Sequence, residues 1–424
     1  MNKQWAAYQN SEVFSARVAT LYGAGEAVLA AQKERYGKLV ERFEKRFGDA
    51  QELCFFSAPG RTEIGGNHTD HNNGRVLAAA VNLDTIACVA KTDDGVIVVD
   101  SEGFPPITVE IDQLEVREAD FGTTLSLIRG TAGIMKQMCY RVGGFRATIS
   151  SSVLRGSGLS SSAAFEVLIC AILDGLYNGF VIDAKTRAVI AQKVENVFFG
   201  KPCGLMDQMA SSVGGMVTID FETEDAKVEA IACDFAARGY ALCVVNTGGN
   251  HGDLTDDYAA IRTEMEAVAA QFGKKVLREV PQHEVEENVG RLRRAVGDRA
   301  VLRALHYYDE NERVLEQVAA IKAGDLYRFF DSVKRSGDSS WKLLQNVYAR
   351  PNEEQMAMGI ELSRRFLGGD GAQRVHGGGF AGTIQAYVPM GRLPAYIGMI
   401  EAAFGPGSCT PLMIRPEGAV MMPM

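Results

Sequence analysis

The chain has 424 residues, of which 46% are apolar and 23% charged, and its formal net charge is −9. That length exceeds one simple core, so two domains are expected. The acidic balance argues against non-specific nucleic-acid binding, which needs a basic surface, and no apolar run reaches the roughly 20 residues that span a bilayer.

The opening residues MNKQWAAYQNSEVF lack the charged start and apolar core of a secretory signal. Eight dispersed cysteines, at 54, 88, 139, 170, 203, 233, 243 and 409, form no Cys-x-x-Cys pair. They read as buried free thiols, neither a zinc site nor a disulfide framework, and make the cytoplasm the expected location.

Residues 1–50 predict helix, from the charged and apolar positions of LVERFEKRFG. From 54 to about 110 the β-branched runs TIACVAKT and VIVVDS predict short strands. Inside this stretch lies PGRTEIGGNHTDHNNG, residues 59–74, with four glycines and ten polar residues in sixteen positions. This mixture predicts a loop lining a polar cavity, because each hydroxyl of a bound polyol must be paired. His68-Thr69-Asp70-His71 lacks the third and fourth ligands of a typical metal spacing, so sugar-type hydrogen bonding is the favoured reading. An ordinary surface turn is the alternative.

A helix near 124–140 precedes a strand at Phe145–Ser151, the small-residue turn SGLSSSAA at 157–164, and an apolar helical pattern over Ala163–Tyr177. Such a turn lets backbone N–H groups approach an anion, and the helix N-terminus adds a favourable dipole. The serines offer hydroxyls to phosphate oxygens or to magnesium. No Gly-Lys-Ser/Thr closes the turn, so it is not a Walker A loop. A turn that simply caps a helix fits it equally well.

A helix over Ala184–Phe199 leads into KPCGLMDQ, which places Glu195 twelve positions before Asp207. One carboxylate suits holding Mg²⁺ and the other orienting or deprotonating a hydroxyl, although two surface acids show the same spacing. Cys203 beside them reads as a buried structural thiol. Strands follow at MVTIDF and YALCVVNT, and residues 254–350 are mostly helical with the charge pattern of solvated faces. His251, His283 and His306 sit in polar helical stretches and are assigned no chemistry. HGGGFAG, residues 376–382, then precedes the strand TIQAYVP, a helix at 392–404 and a final strand near LMIRP. Its three glycines permit close approach, either to a ligand or to another element. A domain boundary falls at 210–225, dividing the chain into 1–215 and 216–424.

In this order the four motifs resemble the galactokinase branch of the GHMP kinases, over most of the chain from about Leu39 onward. PGR…GNHTDHNNG looks like the galactokinase signature, GLSSSAA like the shared ATP-binding motif, CGLMDQ like the catalytic-base segment and HGGGFAG like the third family motif. The resemblance implies an α/β (α+β) two-domain GHMP kinase fold, with an N-terminal ribosomal-protein-S5-like domain, a C-terminal ferredoxin-like domain and a cleft between them. It further implies a sugar 1-kinase that uses ATP and Mg²⁺ to make galactose 1-phosphate, acts as a monomer or weak homodimer, and engages neither nucleic acid nor membrane.

By position, Asp207 is the expected base, with Arg61 steadying the transferring charge. Ser162 and Glu195 are the expected metal ligands. The phosphate loop is Gly156, Ser157, Gly158, Leu159, Ser160, Ser161 and Ser162. Arg61, Asn67, His68, Asp70, Gly204, Asp207 and Tyr258 are the expected sugar contacts.

The chain also departs from the family pattern. Asn67 stands where Glu is usual, Thr62-Glu63 replaces Val-Asn, Leu154 replaces a proline, and His376 replaces a small hydroxyl residue. A neutral Asn67 removes a repulsion that would exclude a 6-carboxylate, so a sugar acid such as galacturonate competes with galactose as the expected substrate. A non-catalytic sugar and ATP sensor is a third reading, weakened by the retention of Ser161, Ser162, Glu195 and Asp207.

Overall fold

The computed structural model describes residues 2–48, 52–153, 158–201, 203–223, 225–249, 254–350, 352–380 and 382–423. Three helices open the chain: α1 (Lys3–Tyr8), α2 (Glu12–Tyr22) and α3 (Glu26–Phe47). On α3 the buried residues are Tyr36, Leu39, Val40 and Phe43, the spacing of one helical stripe. Edge-to-face contacts of Phe14 and Phe55 with Trp5 and Tyr36 hold these helices against the first sheet.

That sheet contains β1 (Cys54–Gly65), β2 (Arg75–Thr92), β3 (Val96–Ser101), β4 (Ile107–Glu110), β5 (Gly144–Ser151), β6 (Met216–Asp220), β7 (Lys227–Ile231) and β12 (Val420–Pro423). Its main order is β12-β1-β2-β5-β3-β4, with β6 also paired to β2 and β7 to β6. Among the described residues of this sheet, only β3 and β5 pair in parallel. The helices α4 (Thr124–Gln137), α5 (Ser161–Tyr177), α6 (Ala184–Val194) and α7 (Met206–Val213) belong with it, and α4, α5 and α6 share a core with residues such as Phe56, Val89 and Phe145.

The second sheet has the antiparallel order β11-β8-β10-β9, from β8 (Tyr240–Asn246), β9 (Ala372–Val375), β10 (Thr383–Pro389) and β11 (Cys409–Leu412). Its helices are α12 (Leu326–Ser339), α13 (Gln355–Leu367) and α14 (Leu393–Phe404). A further helical layer consists of α8 (Thr255–Ala270), α9 (Gln282–Glu287), α10 (Val289–Val296) and α11 (Asp298–Ala323). Mixed helix and sheet in two sheet-centred halves is the α+β architecture expected from the sequence.

Three local expectations change. Residues 59–65 are not loop: they complete β1, are buried, and pair with β2. Their polar side chains tolerate burial because groups across the cleft partner them. The division at 215/216 cuts through the first sheet, since β6, β7 and the C-terminal β12 all pair within it. The last strand is β12, whose Met422 lies opposite Phe55, and the LMIRP run contributes only the end of β11 and an isolated bridge at Ile414. Of the cysteines, 88, 170, 243 and 409 are buried as expected, 54, 203 and 233 are partly buried, and Cys139 is exposed.

Among the described residues no helix is long and apolar enough to cross a membrane.

Candidate active site

Asp207 sits in the first turn of α7, where its side chain keeps 30% exposure. Arg61, on β1, donates from Nε to Asp207 Oδ1 at 2.7 Å, and Ser160 donates to Oδ2, also at 2.7 Å. Arg61 itself is 7% exposed. Its Nη1 donates to the carbonyl of Gly158, and its backbone N–H donates to Leu159 O at 3.0 Å. Strand β1, the turn before α5 and the start of α7 therefore meet around one carboxylate. Its charge is balanced by a guanidinium whose residue is held, at Nη1 and at the backbone N–H, by the turn before α5.

Opposite this group, residues 66–74 leave β1 as a loop. His68 takes a left-handed φ of +58° and donates from Nε2 to Gly378 O at 2.8 Å. That bond fixes the tautomer and leaves Nδ1 as an acceptor. Burial pushes the His68 imidazole down to about 4 and the His71 imidazole well below its usual value, so both are neutral at pH 7. Burial, reinforced by the charge of Asp207, raises the Asp70 carboxyl to about 6. A Cβ on Gly204 would overlap Asp70 Oδ2, so glycine is what allows that carboxylate to lie against the segment leading into α7.

The triple-glycine segment turns out to serve another element. Gly377 O accepts from Asn67 Nδ2 at 2.6 Å, Gly378 O from His68, and Gly379 O from the Tyr258 hydroxyl at 2.7 Å. A Cβ on Gly378 would press on the Tyr258 ring. The carbonyls thus form a rail that receives the loop at 66–74 and α8. Asn67 is placed differently from the sequence expectation. It is fully buried, its two amide hydrogens go to Glu63 Oε1 and Gly377 O, and its Oδ1 accepts from Asn346 and Ser340. Its four hydrogen-bonding positions are thereby taken by protein groups.

Ser161 and Ser162 open α5 and line a cavity of about 980 Å³, whose walls include Phe104, Pro105, Ile107 and Phe165. Glu195 begins a π-helical turn that continues α6 and is 3% exposed. Its Oε2 accepts from Gln208 Nε2 at 2.8 Å, and its Oε1 faces Lys201 Nζ at 3.5 Å. Among the described residues no group of three His, Cys, Asp or Glu is disposed to hold a metal. A site of Ser162 and Glu195 would therefore rely on oxygens from elsewhere, as magnesium bound to a nucleotide does. The hard hydroxyl and carboxylate donors fit that ion. Burial and nearby acids push the Cys203 thiol upward, which agrees with an inert structural thiol. Gly156 and Ser157, together with Leu154, His251 and Ala381, lie outside the described residues.

Sequence reasoning expected helix here but missed the role of one face of α11. His306 donates from Nε2 to Asn67 O at 2.9 Å, and Tyr307 donates to Asn72 O at 3.0 Å. Glu310 accepts from Gly66 N at 3.2 Å, and Asn311 accepts from Arg75 N at 2.7 Å. Positions 306, 307, 310 and 311 share one helix face, and that face clamps the backbone of the loop. A polar stripe of this kind reads as a solvated surface in the sequence. Here it is buried because the loop's own N–H and C=O groups need partners.

Comparison with known proteins adds a separate line of evidence. Residues 41–91 match the galactokinase galactose-binding signature, and residues 126–215 match the GHMP kinases N-terminal domain. The galactokinase of Glaesserella parasuis is 32% identical over 366 residues, covering 84% of this chain and 90% of that one. The galactokinase of Streptomyces coelicolor is 32% identical over 378 residues, covering 87% and 92%. Lactococcus lactis galactokinase, solved with galactose, shares the fold at a TM-score of 0.80 and 24% identity, covering 91% of this chain and 99% of that one.

Proposed function

The chain belongs to the galactokinase family of GHMP kinases, and from that premise we propose that it transfers the γ-phosphoryl group of ATP to the anomeric hydroxyl of galactose. The observation that carries this reading is Asp207, held between Arg61 and Ser160 at the mouth of the phosphate loop.

In this reading the anomeric oxygen attacks the γ-phosphorus, the bond from that phosphorus to the β–γ bridging oxygen breaks, and the hydroxyl proton passes to Asp207. Arg61 offsets charge on the transferring group while pairing with the base. Little else is required, because phosphoryl transfer depends mainly on positioning and charge neutralisation. Asp70 and His68 Nδ1 would accept sugar hydroxyls, Tyr258 would form part of the sugar wall, and Gly204 keeps that wall close. Asn67 acts through the loop it anchors. The cavity beside Phe104 and Phe165 has the size and apolar lining for a purine, and the turn from Gly158 to Ser162 would receive the phosphates. A magnesium ion held by Ser162 and Glu195 would neutralise the phosphate oxygens. The cytoplasm suits such an enzyme.

The test is ATP-dependent phosphorylation of galactose, galacturonate, N-acetylgalactosamine, arabinose and glucose, each with and without Mg²⁺. Galactose is the expected substrate. Preference for galacturonate would replace it, and silence across the panel would restore the sensor.

A further inference from the structure

Asp207 and Gln208 are adjacent in the first turn of α7 yet serve opposite sides. Asp207 faces Arg61 and Ser160, while Gln208 is 1% exposed and points into a buried acidic group. Its Nε2 donates to Glu195 Oε2 at 2.8 Å and, in longer contacts, to Glu166 Oε2 at 3.3 Å and Cys203 Sγ at 3.7 Å. Glu166 is fully buried on α5, one helical turn after Ser162 and on the same face. Among the described residues its Oε1 has no partner, and neither does Gln208 Oε1.

Two buried acidic side chains sharing one amide, with two oxygens unpaired among the described residues, form a poor arrangement for stability alone. A well-packed apolar trio would cost less. The arrangement does fix the rotation of one group. With Oε2 taken by Gln208, Glu195 presents Oε1 outward, and the cation it faces there, among the described residues, is Lys201, a largely exposed side chain 3.5 Å away. Glu195 also stands on a π-helical turn, a distortion that often marks functional positions.

We propose that Gln208 is a positioning residue, which with Glu166 behind it orients Glu195 toward the cation of the metal–nucleotide substrate and ties that carboxylate to the helix turn bearing Asp207. The inference rests on the kinase reading for the role of Glu195. It adds a mechanical link, since one turn of α7 sets both the base and the carboxylate that faces the metal. Ligand-orienting partners of this kind change metal affinity by roughly 10- to 100-fold when removed.

The experiment measures Mn²⁺ binding by electron paramagnetic resonance in the presence of a non-hydrolysable ATP analogue, so no turnover is needed. Gln208→Met, close in shape but without the two donors, should weaken Mn²⁺ binding by roughly tenfold or more. Galactose affinity, measured by calorimetry, should stay within about twofold of the parent, a split that a general loss of structure would not give. Glu166→Gln, which preserves shape, should produce a smaller change in the same direction and covers the case in which Gln208→Met fails to fold. Unchanged Mn²⁺ affinity in a cooperatively melting Gln208→Met, or equal losses for Mn²⁺ and galactose, would overturn the proposal. If the sugar panel is silent but Mn²⁺ and nucleotide still bind, the function fails while this test remains decidable.

Discussion

Asn67 donates to Glu63 Oε1 at 2.9 Å, so two of the positions at which this chain departs from the galactokinase pattern are each other's partners. The pattern places Asn first and Glu second at these two positions; the chain carries them exchanged. Arg374 Nη2 meets the same Glu63 oxygen at 2.6 Å and holds the relocated carboxylate. Thr62 and His376, two further departures, also pair with each other at 2.9 Å, and Gln385 donates to Thr62 at 2.7 Å. These departures therefore form one buried network joining β1 to β9 and β10.

The exchange should behave as a coupled unit. Asn67→Glu alone puts a second carboxylate beside Glu63 with one Arg374 between them. Glu63→Asn alone leaves the Arg374 guanidinium without its charge partner. Each single variant should be destabilised by about 3–5 kcal/mol, the usual effect of breaking a buried ion pair. The double variant should recover about 1–3 kcal/mol beyond additivity. Urea unfolding of the four proteins measures this, and strict additivity would show that the pair is incidental. The double variant is also the right protein for asking whether charge at position 67 changes sugar choice.

Burial pushes the Glu63 carboxyl up to about 7, outweighing the opposing pull of Arg374 and Arg61. A carboxyl raised above its unfolded value adds stability at low pH and loses it as pH rises through the folded value. Relative to Glu63→Gln, the parent should therefore lose about 1–3 kcal/mol between pH 5 and pH 8. Melting curves of both proteins across that range decide it, and a difference that is flat or grows with pH contradicts the sign.

His306 offers a test of the α11 clamp. Its Nε2 donates to Asn67 O, and its Nδ1 pairs with the Ser339 hydroxyl at 2.8 Å. His306→Leu leaves both groups buried and unpaired, at a cost of about 1–3 kcal/mol each. His306→Gln can restore the donor toward Asn67. The sugar KM should rise roughly tenfold in the Leu variant and stay near the parent in the Gln variant, with the ATP KM unchanged in both. A uniform rise in both KM values would reduce His306 to a general packing role.

Gly204→Ala probes the same wall from the other side. The added methyl must displace Asp70, and misplacement by about an ångström can cost 10²-fold in rate. Steady-state kinetics should show kcat/KM for galactose falling roughly 10- to 100-fold, while affinity for the ATP analogue is retained. Parent-like kinetics would mean that Asp70 moves aside freely.

Much of this was legible in the sequence, for identifiable reasons. The serine turn and α5 followed from a breaker run ahead of apolar periodicity, and β5 and β10 from β-branched alternation. Asp207 and Arg61, 146 positions apart, could be paired only through the family resemblance, because local pattern carries no long-range contact. Residues 59–65 read as loop because polar side chains predict exposure, whereas Thr62 and Glu63 are buried with partners supplied from beyond residue 370. The α11 face was hidden for the same reason. Gln208 closes the CGLMDQ motif, but its role was not legible, since a glutamine in a helix start gives no indication of what it will face.

Asp207→Asn separates the base from its scaffold. The amide can still accept from Ser160 through its oxygen, so the cleft should keep its shape. It cannot take a proton, and it leaves Arg61 without a countercharge. General-base removal typically lowers rate by 10²–10⁴-fold, and kcat should fall in that range while galactose binding by calorimetry changes little. The loose transition state of phosphoryl transfer demands less of a base than acyl transfer does, so the size of the fall is informative. A loss above about 10²-fold assigns proton transfer to Asp207. Near-parent turnover would leave Asp207 only the task of holding Arg61 in place, and Arg61→Lys would then become the more damaging substitution because its single ammonium cannot span Asp207 and Gly158 together.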